Sequence, residues 1–414
     1  MTPLGVDSQS VWNALTSGVS GAGPITLFDA AGFPVRMAAE VKNWNVHDHL
    51  TDSQDLADFP RQTQFAVVAA EQALKTAGVS VDDIPPSRIG VYLGCGEIFP
   101  DFQRFAEASS AALADDQWDL ASFMDQAEMR CSDRDELTHE PGAAVGLIAG
   151  RYGFEGPSTN YTSACVSSTV ALGEATELIR GGRADVMLAG GAHSMIHPFG
   201  ITGFHRLSAL SQRNDDPQHA SRPFDRTRDG FVCGEGGVVL MLEELAHAQR
   251  RGAHILCELS GYGSAHDAFR ITDPHPDATS AARSIRSALA DAGLNPADLD
   301  YINAHGSGTV ANDKCETVAL KKALGEAAYR IPASSTKSMT GHLTTACGAL
   351  ETFVCAQAIH TGVLPPTINY STPDPACDLN YVPNQAIEKE CHHALNNNSG
   401  FGGQNVAIVL SRFD

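Results

Sequence analysis

The sequence predicts an α/β protein of two similar halves, with helices covering both faces of mainly parallel sheets. Three observations predict it. Strand-like apolar runs alternate with amphipathic helical stretches almost throughout the 414 residues, the pattern of repeated βαβ units. The 38 glycines and 43% hydrophobic content describe a globular chain with many tight turns. The alternation then restarts past residue 250, dividing the chain into 1–250 and 251–414.

In chain order, residues 61–78 (RQTQFAVVAAEQALKTAG) read as a helix closed by Gly78, and 89–94 (IGVYLG) as a strand. A helix follows at 165–180, then strands at 184–190 (ADVMLAG) and 236–243 (GGVVLMLE). The second half offers a strand at 254–263, a helix at 278–292 (ATSAARSIRSALADA) and a strand at 299–304 (LDYINA). It ends with a helix at 345–361 and a final strand at 405–413. Segment 97–140 breaks the pattern. It carries Asp101, Asp115, Asp116, Asp119, Asp125, Glu128, Asp133, Asp135, Glu136 and Glu140 with little sheet character, and reads as a surface insertion of short helices and loops.

A formal net charge of −21 argues against a nucleic-acid partner, whose phosphates it would repel. No apolar run approaches membrane-spanning length and no secretory signal opens the chain, so the expectation is a cytoplasmic protein without membrane contact. The ten cysteines are scattered without C-x-x-C pairs or zinc spacing, which predicts reduced thiols and neither disulfides nor metal.

Cys165 sits where a strand end, Asn160-Tyr-Thr-Ser-Ala, runs into the helix that follows. Unpaired N–H groups at a helix start favour a thiolate, so Cys165 is expected to have a depressed pKa and to be a nucleophile. That stretch alone leaves open a packing role. His305 follows a strand end in Asn303-Ala-His-Gly-Ser-Gly-Thr309, and His342 lies in the Gly-rich turn of Lys337-Ser-Met-Thr-Gly-His342. A thiolate with two imidazoles fits acyl transfer followed by formation and capture of a carbanion, with neutral imidazoles donating to the enolate oxygen. Backbone N–H groups of Cys165 and of the turn 400–403 are candidates for the oxyanion of the acyl-transfer step.

ACVSS around Cys165, RPFDRTRDGFVCGEGG at 222–237, NAHGSGT at 303–309, KSMTGH at 337–342 and SGFGGQN at 399–405 occur in this order. The set closely resembles the β-ketoacyl-acyl carrier protein synthases, elongating type II ketosynthases of the thiolase superfamily. The resemblance implies a thiolase-like fold of two βαβαβ halves in five layers (αβαβα), forming a dimer with its sites near the interface. It implies Cys165 acylated, His305 and His342 for malonyl decarboxylation, Lys337 as their electrostatic support, and Glu316 as a structural acid. Ser307, Thr309, Phe204 and Thr272 take substrate-binding positions, Phe401 beside Gly402 that of a gating residue, and Arg206 and Arg213 that of a carrier-docking patch with Arg61 behind them. The implied enzyme is an acyltransferase of class EC 2.3.1 in fatty acid biosynthesis. It needs no bound cofactor, uses acyl carrier protein and its phosphopantetheine as substrate carrier, and is a homodimer or a heterodimer with a related subunit. A type II polyketide or polyene ketosynthase is the alternative; a non-catalytic, chain-length-setting subunit is the alternative of another class, against which Cys165 and both histidines argue.

Four departures from that family carry expectations. The chain opens at Met1-Thr-Pro-Leu-Gly without the usual first strand, leaving a gap expected in a central, buried sheet. Ser399 stands where a phenylalanine is usual, so the gating loop is expected to differ. Glu97 is expected to face the acyl channel, where a carboxylate is costly. Residues 55–61 (DLADFPR) place acids where a basic docking face is expected.

Overall fold

A computed structural model describes residues 1–114 and 116–413; Asp115 of the insertion lies outside the described residues. The first sheet contains β1 (Ile89–Cys95), β2 (Ser158–Tyr161), β3 (Val186–Ser194) and β4 (Glu235–Glu243) in the order β2-β1-β3-β4. The second contains β5 (Glu258–His266), β6 (Tyr301–Asn303), β7 (Ala333–Ser334), β8 (His393–Gly400) and β9 (Gln404–Ser411) in the order β7-β6-β8-β9-β5. In each, three parallel strands are followed by an antiparallel one, and the second adds antiparallel β5 at its edge. The sheets are therefore more mixed than the expected mainly parallel ones.

Five helices cover them: α1 (Arg61–Ala77), α2 (Ser167–Arg180), α3 (Thr279–Asp291), α4 (Val310–Leu324) and α5 (Cys347–Thr361). Helices α2 and α5 pack on each other between the sheets, α1 lies on the outer face of the first sheet, and α3 packs on β5 and β9 of the second with α4 against it. The result is five layers, αβαβα. The reason is legible in α5, CGALETFVCAQAIHT, which is apolar nearly all round and so needs a sheet on either side. Close approach is bought by glycine: a Cβ on Gly94 of β1 would lie 2.3 Å from Ser168 N, and one on Gly348 of α5 would lie 1.8 Å from Thr169 Oγ1.

Both central helices start alike. A single turn, Ala164–Val166 before α2 and Thr344–Ala346 before α5, opens with a non-glycine residue in the left-handed region, Ala164 at φ 49° and Thr344 at φ 50°. The insertion folds as expected into helices Phe102–Ala111, Leu120–Arg130 and Asp133–His139, on the surface.

The expected gap is not in the middle of a sheet. Met1 and Gly237 exchange backbone hydrogen bonds of 2.8 and 2.9 Å at the outer side of β4, the place that β5 takes beside β9 in the second sheet. The chain start thus lies at a sheet edge.

Candidate active site

Cys165 lies in the turn ahead of α2, half-buried, against the β8–β9 hairpin: a Cβ on Gly400 would come within 3.3 Å of Cys165 N. His305 follows β6. Its backbone N–H and that of Gly306 donate to the two oxygens of Glu316 at 2.7 Å each, and Asn397 Nδ2 of β8 donates to Glu316 Oε1 at 2.7 Å. Glu316, on α4, therefore clamps the loop that carries His305. His342 follows the short helix Lys337–Thr340, and its N–H donates to Val232 O at 2.7 Å.

These pieces converge. The His305 and His342 rings stand 5.4 Å apart at 79°, both 3% exposed. Lys337, 2% exposed, points Nζ at His305 Nδ1 over 3.5 Å and forms an ion pair with Glu351 of α5. His342 Nδ1 accepts from Thr344 N–H at 3.0 Å and faces the Cys347 thiol at 3.1 Å. Both Nδ1 atoms are thus acceptors, which places each proton on Nε2. Neither Nε2 has a hydrogen-bond partner among the described residues.

Burial, then the Lys337 charge, pushes both imidazoles well below their usual value, so they are neutral at neutral pH. Burial also pushes Glu316 up to about 7. For Cys165 the expectation is overturned: burial pushes its thiol up to about 11, outweighing Lys337 and the backbone N–H groups of Phe401 and Cys165, which pull it down. A helix start does not depress a thiol pKa once desolvation is larger.

Comparison with known proteins decides what this arrangement belongs to. The beta-ketoacyl synthase N-terminal domain matches residues 1–248 and the C-terminal domain residues 256–371. The chain belongs to the beta-ketoacyl synthase family. It is 42% identical over 415 residues to the tetracenomycin polyketide synthase ketoacyl synthase alpha subunit of Streptomyces glaucescens, covering 99% of this chain and 94% of that one. It is also 42% identical over 413 residues to 3-oxoacyl-(acyl-carrier-protein) synthase 2 of Synechocystis sp., covering 100% and 96%. Among solved structures, a beta-ketoacyl synthase from Burkholderia phymatum superposes with a TM-score of 0.88 at 31% identity, over 100% of this chain and 97% of that one. A type II polyketide synthase ketosynthase solved with its acyl-carrier protein and bound to the hexaketide gives 0.87 at 35%, with the same coverage. The protein is an elongating type II ketosynthase of thiolase fold, an acyltransferase of the 3-oxoacyl-acyl carrier protein synthase class.

The ketosynthase places the remaining predicted residues unevenly. Phe401 and Gly402 form the β8–β9 turn, with Gly402 at φ 87° and its N–H donating to Ile271 O at 2.6 Å. Ser399 Oγ donates to Asn405 Oδ1 across that hairpin at 2.9 Å. Ser307 and Thr309 hydroxyls are 3.0 Å apart, with Thr309 capping α4. Phe204 packs on Phe231, 5.2 Å between centroids, and Phe231 on His342, 4.9 Å. Thr272 is exposed on the loop beside Gly402.

Three expectations change. Glu97 is exposed in this chain, and its backbone oxygen rather than its carboxylate turns inward. Arg61 is engaged within the fold: it pairs with buried Glu235 and donates to Val41 O at 2.9 Å. Arg213 is tied to Asp229 at 3.4 Å and to Thr227 O at 2.6 Å, whereas Arg206 is exposed with no ion-pair partner among the described residues. Glu351 and Asn398, which donates to it, were not singled out from sequence. The available signal was a carboxylate inside the apolar run of α5.

Among the described residues no helix is long and apolar enough to cross a membrane.

Proposed function

We propose that this ketosynthase condenses an acyl thioester with malonyl-acyl carrier protein in fatty acid biosynthesis, using Cys165 as nucleophile and His305 and His342 as oxyanion donors. One observation carries the reading: two neutral imidazoles 5.4 Å apart each have Nδ1 engaged, which leaves two Nε2–H groups for one thioester oxygen. Cys165 sulfur attacks the acyl thioester, its S–H proton leaves with the released phosphopantetheine thiol, and the oxyanion is held by the Cys165 and Phe401 N–H groups. Malonyl thioester then loses carbon dioxide; the electron pair of the breaking C–C bond becomes an enolate stabilised by the two Nε2–H donors. The enolate carbon attacks the acyl-Cys165 carbonyl, the C–C bond forms, the C–S bond breaks, and the released thiolate takes a proton from solvent. Lys337 stays charged against Glu351 and fixes His305 through Nδ1.

The halves 1–250 and 251–414 meet at this site, the first supplying Cys165 and the second the histidines, Lys337 and Glu316. Ser307 and Thr309 lie toward the arm, Phe204 and Thr272 toward substrate, and Phe401 gates the thiol. Arg206, flanked by Arg213, is the docking point for an acidic carrier. The working unit is a dimer, homo- or heteromeric, in the cytoplasm.

A second reading, a type II polyketide ketosynthase, is favoured by the equal 42% identities to relatives of both kinds. The insertion suits it as well, since rings run in contact from Phe99 through His197, Phe199, Phe105 and Phe123 to Trp118, with Phe102 also against Phe199. Intact-mass analysis after incubation with a panel of acyl-carrier proteins tests both: saturated acyl groups added to Cys165 support the first, polyketide intermediates alone the second. Cys165→Ala is expected to abolish every adduct, and His305→Ala or His342→Ala to lower malonyl decarboxylation by about 100-fold while sparing acylation. Adducts that survive Cys165→Ala, or decarboxylation at the wild-type rate in both histidine variants, overturn the assignment.

A further inference from the structure

His342 owes its orientation to a residue that is strained. Thr344, whose N–H fixes His342 Nδ1 at 3.0 Å, sits at φ 50°, a region that β-branched residues avoid unless held there. What holds it is a second buried histidine. His193, 2% exposed at the end of β3, faces the Thr344 hydroxyl with Nδ1, while its Nε2–H donates to Glu97 O at 3.2 Å. With the proton on Nε2, Nδ1 accepts from Thr344 Oγ1–H, so the ring needs no charge; burial pushes it below its usual value in any case. Space for the ring exists because residue 96 is glycine: a Cβ there would lie 2.5 Å from His193 Nε2.

From this chain of contacts we propose that His193 is a positioning residue for His342, acting through Thr344 to keep His342 in its Nε2–H tautomer and orientation. The inference rests on the reading of His342 as an oxyanion donor. The path runs from Glu97 O through the His193 ring and the Thr344 hydroxyl to the Thr344 N–H and His342 Nδ1, and none of its hydrogen bonds involves Cys165 or the β8–β9 turn. Disturbing it should therefore slow decarboxylation and leave acylation alone, a split that general loss of structure does not produce.

The test compares His193→Ala, His193→Gln and Thr344→Val in the full chain. Two rates are read: malonyl-carrier decarboxylation, and acylation of Cys165 by an acyl-carrier protein. Glutamine can accept from Thr344 with Oε1 and donate to Glu97 O with Nε2, so it is the conservative replacement; Thr344→Val keeps the shape and removes the hydroxyl. Expected are decarboxylation lowered ~10-fold to ~100-fold in His193→Ala and Thr344→Val, the scale of a sub-ångström to ångström misplacement, with acylation within about threefold and His193→Gln restoring most of the loss. Wild-type decarboxylation in both disruptive variants, equal losses in the two rates, or no rescue by glutamine overturns the inference. Crystal structures of His193→Ala and His193→Gln decide it independently of turnover: Thr344 should leave the left-handed region in the first and keep it in the second, and Thr344 unmoved in His193→Ala refutes it. If the wild-type protein itself does not decarboxylate a malonyl thioester, the proposed function fails, and the Thr344 conformation still decides whether His193 positions His342.

Discussion

At the scale of single residues, the thiol proposed as nucleophile rests protonated. With burial pushing Cys165 up to about 11, its thiolate fraction rises tenfold for each pH unit between 7 and 10. Alkylation of Cys165 by iodoacetamide, followed by peptide mass analysis, should therefore climb log-linearly across that range; a plateau near neutrality would show the thiolate already formed. Cys131, exposed on the insertion, should also label, so reactivity toward this reagent does not single out Cys165. Glu316 offers a second test. Its two oxygens accept from three N–H groups, and in Glu316→Gln an amide NH2 would meet one of those donors. The buried mismatch should destabilise the protein by about 1–3 kcal/mol in urea denaturation and reduce decarboxylation through the His305 loop. Unchanged stability would mean that the clamp contributes nothing.

At the scale of elements, the site is assembled by close packing of helix starts on strand ends. Gly94→Ala would drive a Cβ to 2.3 Å from Ser168 N and 2.5 Å from Ser167 C, both backbone atoms of α2 that cannot move without dragging Cys165. This variant should lose several degrees of Tm and most Cys165 acylation. Gly150→Ala, with nothing within 4 Å on helix Ala143–Tyr152, should hold or raise Tm, alanine being favoured by up to about 1 kcal/mol in a helix. Equal thermal shifts for the two would refute the packing argument. Elements written as amphipathic or continuous apolar runs, such as α1, α3, β1 and β4, were legible in sequence to within a few positions. Strand β8 was not: His393–Gly400 contains Asn396, Asn397 and Asn398, poor strand formers that are buried because each bonds a partner far along the chain, Gly348 O and Thr352, Glu316, and Glu351. Helix α4 escaped notice for a related reason: it buries Asp313, Glu316 and Thr317 along with Cys315, Ala319, Leu320, Ala323 and Leu324, which blurs its apolar stripe.

At the scale of the whole molecule, a chain of net charge −21 would meet the acidic carrier of the proposed function through a local exception. Arg206 is free to serve; Arg213 is already tied to Asp229. Arg206→Glu should raise the KM for acyl-carrier protein, with the difference shrinking toward 1 M salt as the screening length falls to about 3 Å. Turnover of a small pantetheine thioester should stay unchanged. An unaltered carrier KM would move the docking site elsewhere. The sequence by itself determined the class of fold and the family, and it singled out Cys165, His305, His342 and Lys337 as candidates, because local periodicity and short motifs are properties of neighbouring residues. Only the tertiary structure decided that the Cys165 thiol is raised rather than lowered, that Arg61 is tied to Glu235 and Glu97 faces outward, and that Glu351, Asn398, Thr344 and His193 stand behind the site. Each of those depends on burial or on a partner tens to hundreds of residues away, and desolvation and long-range pairing are set by packing, which no local stretch of sequence contains.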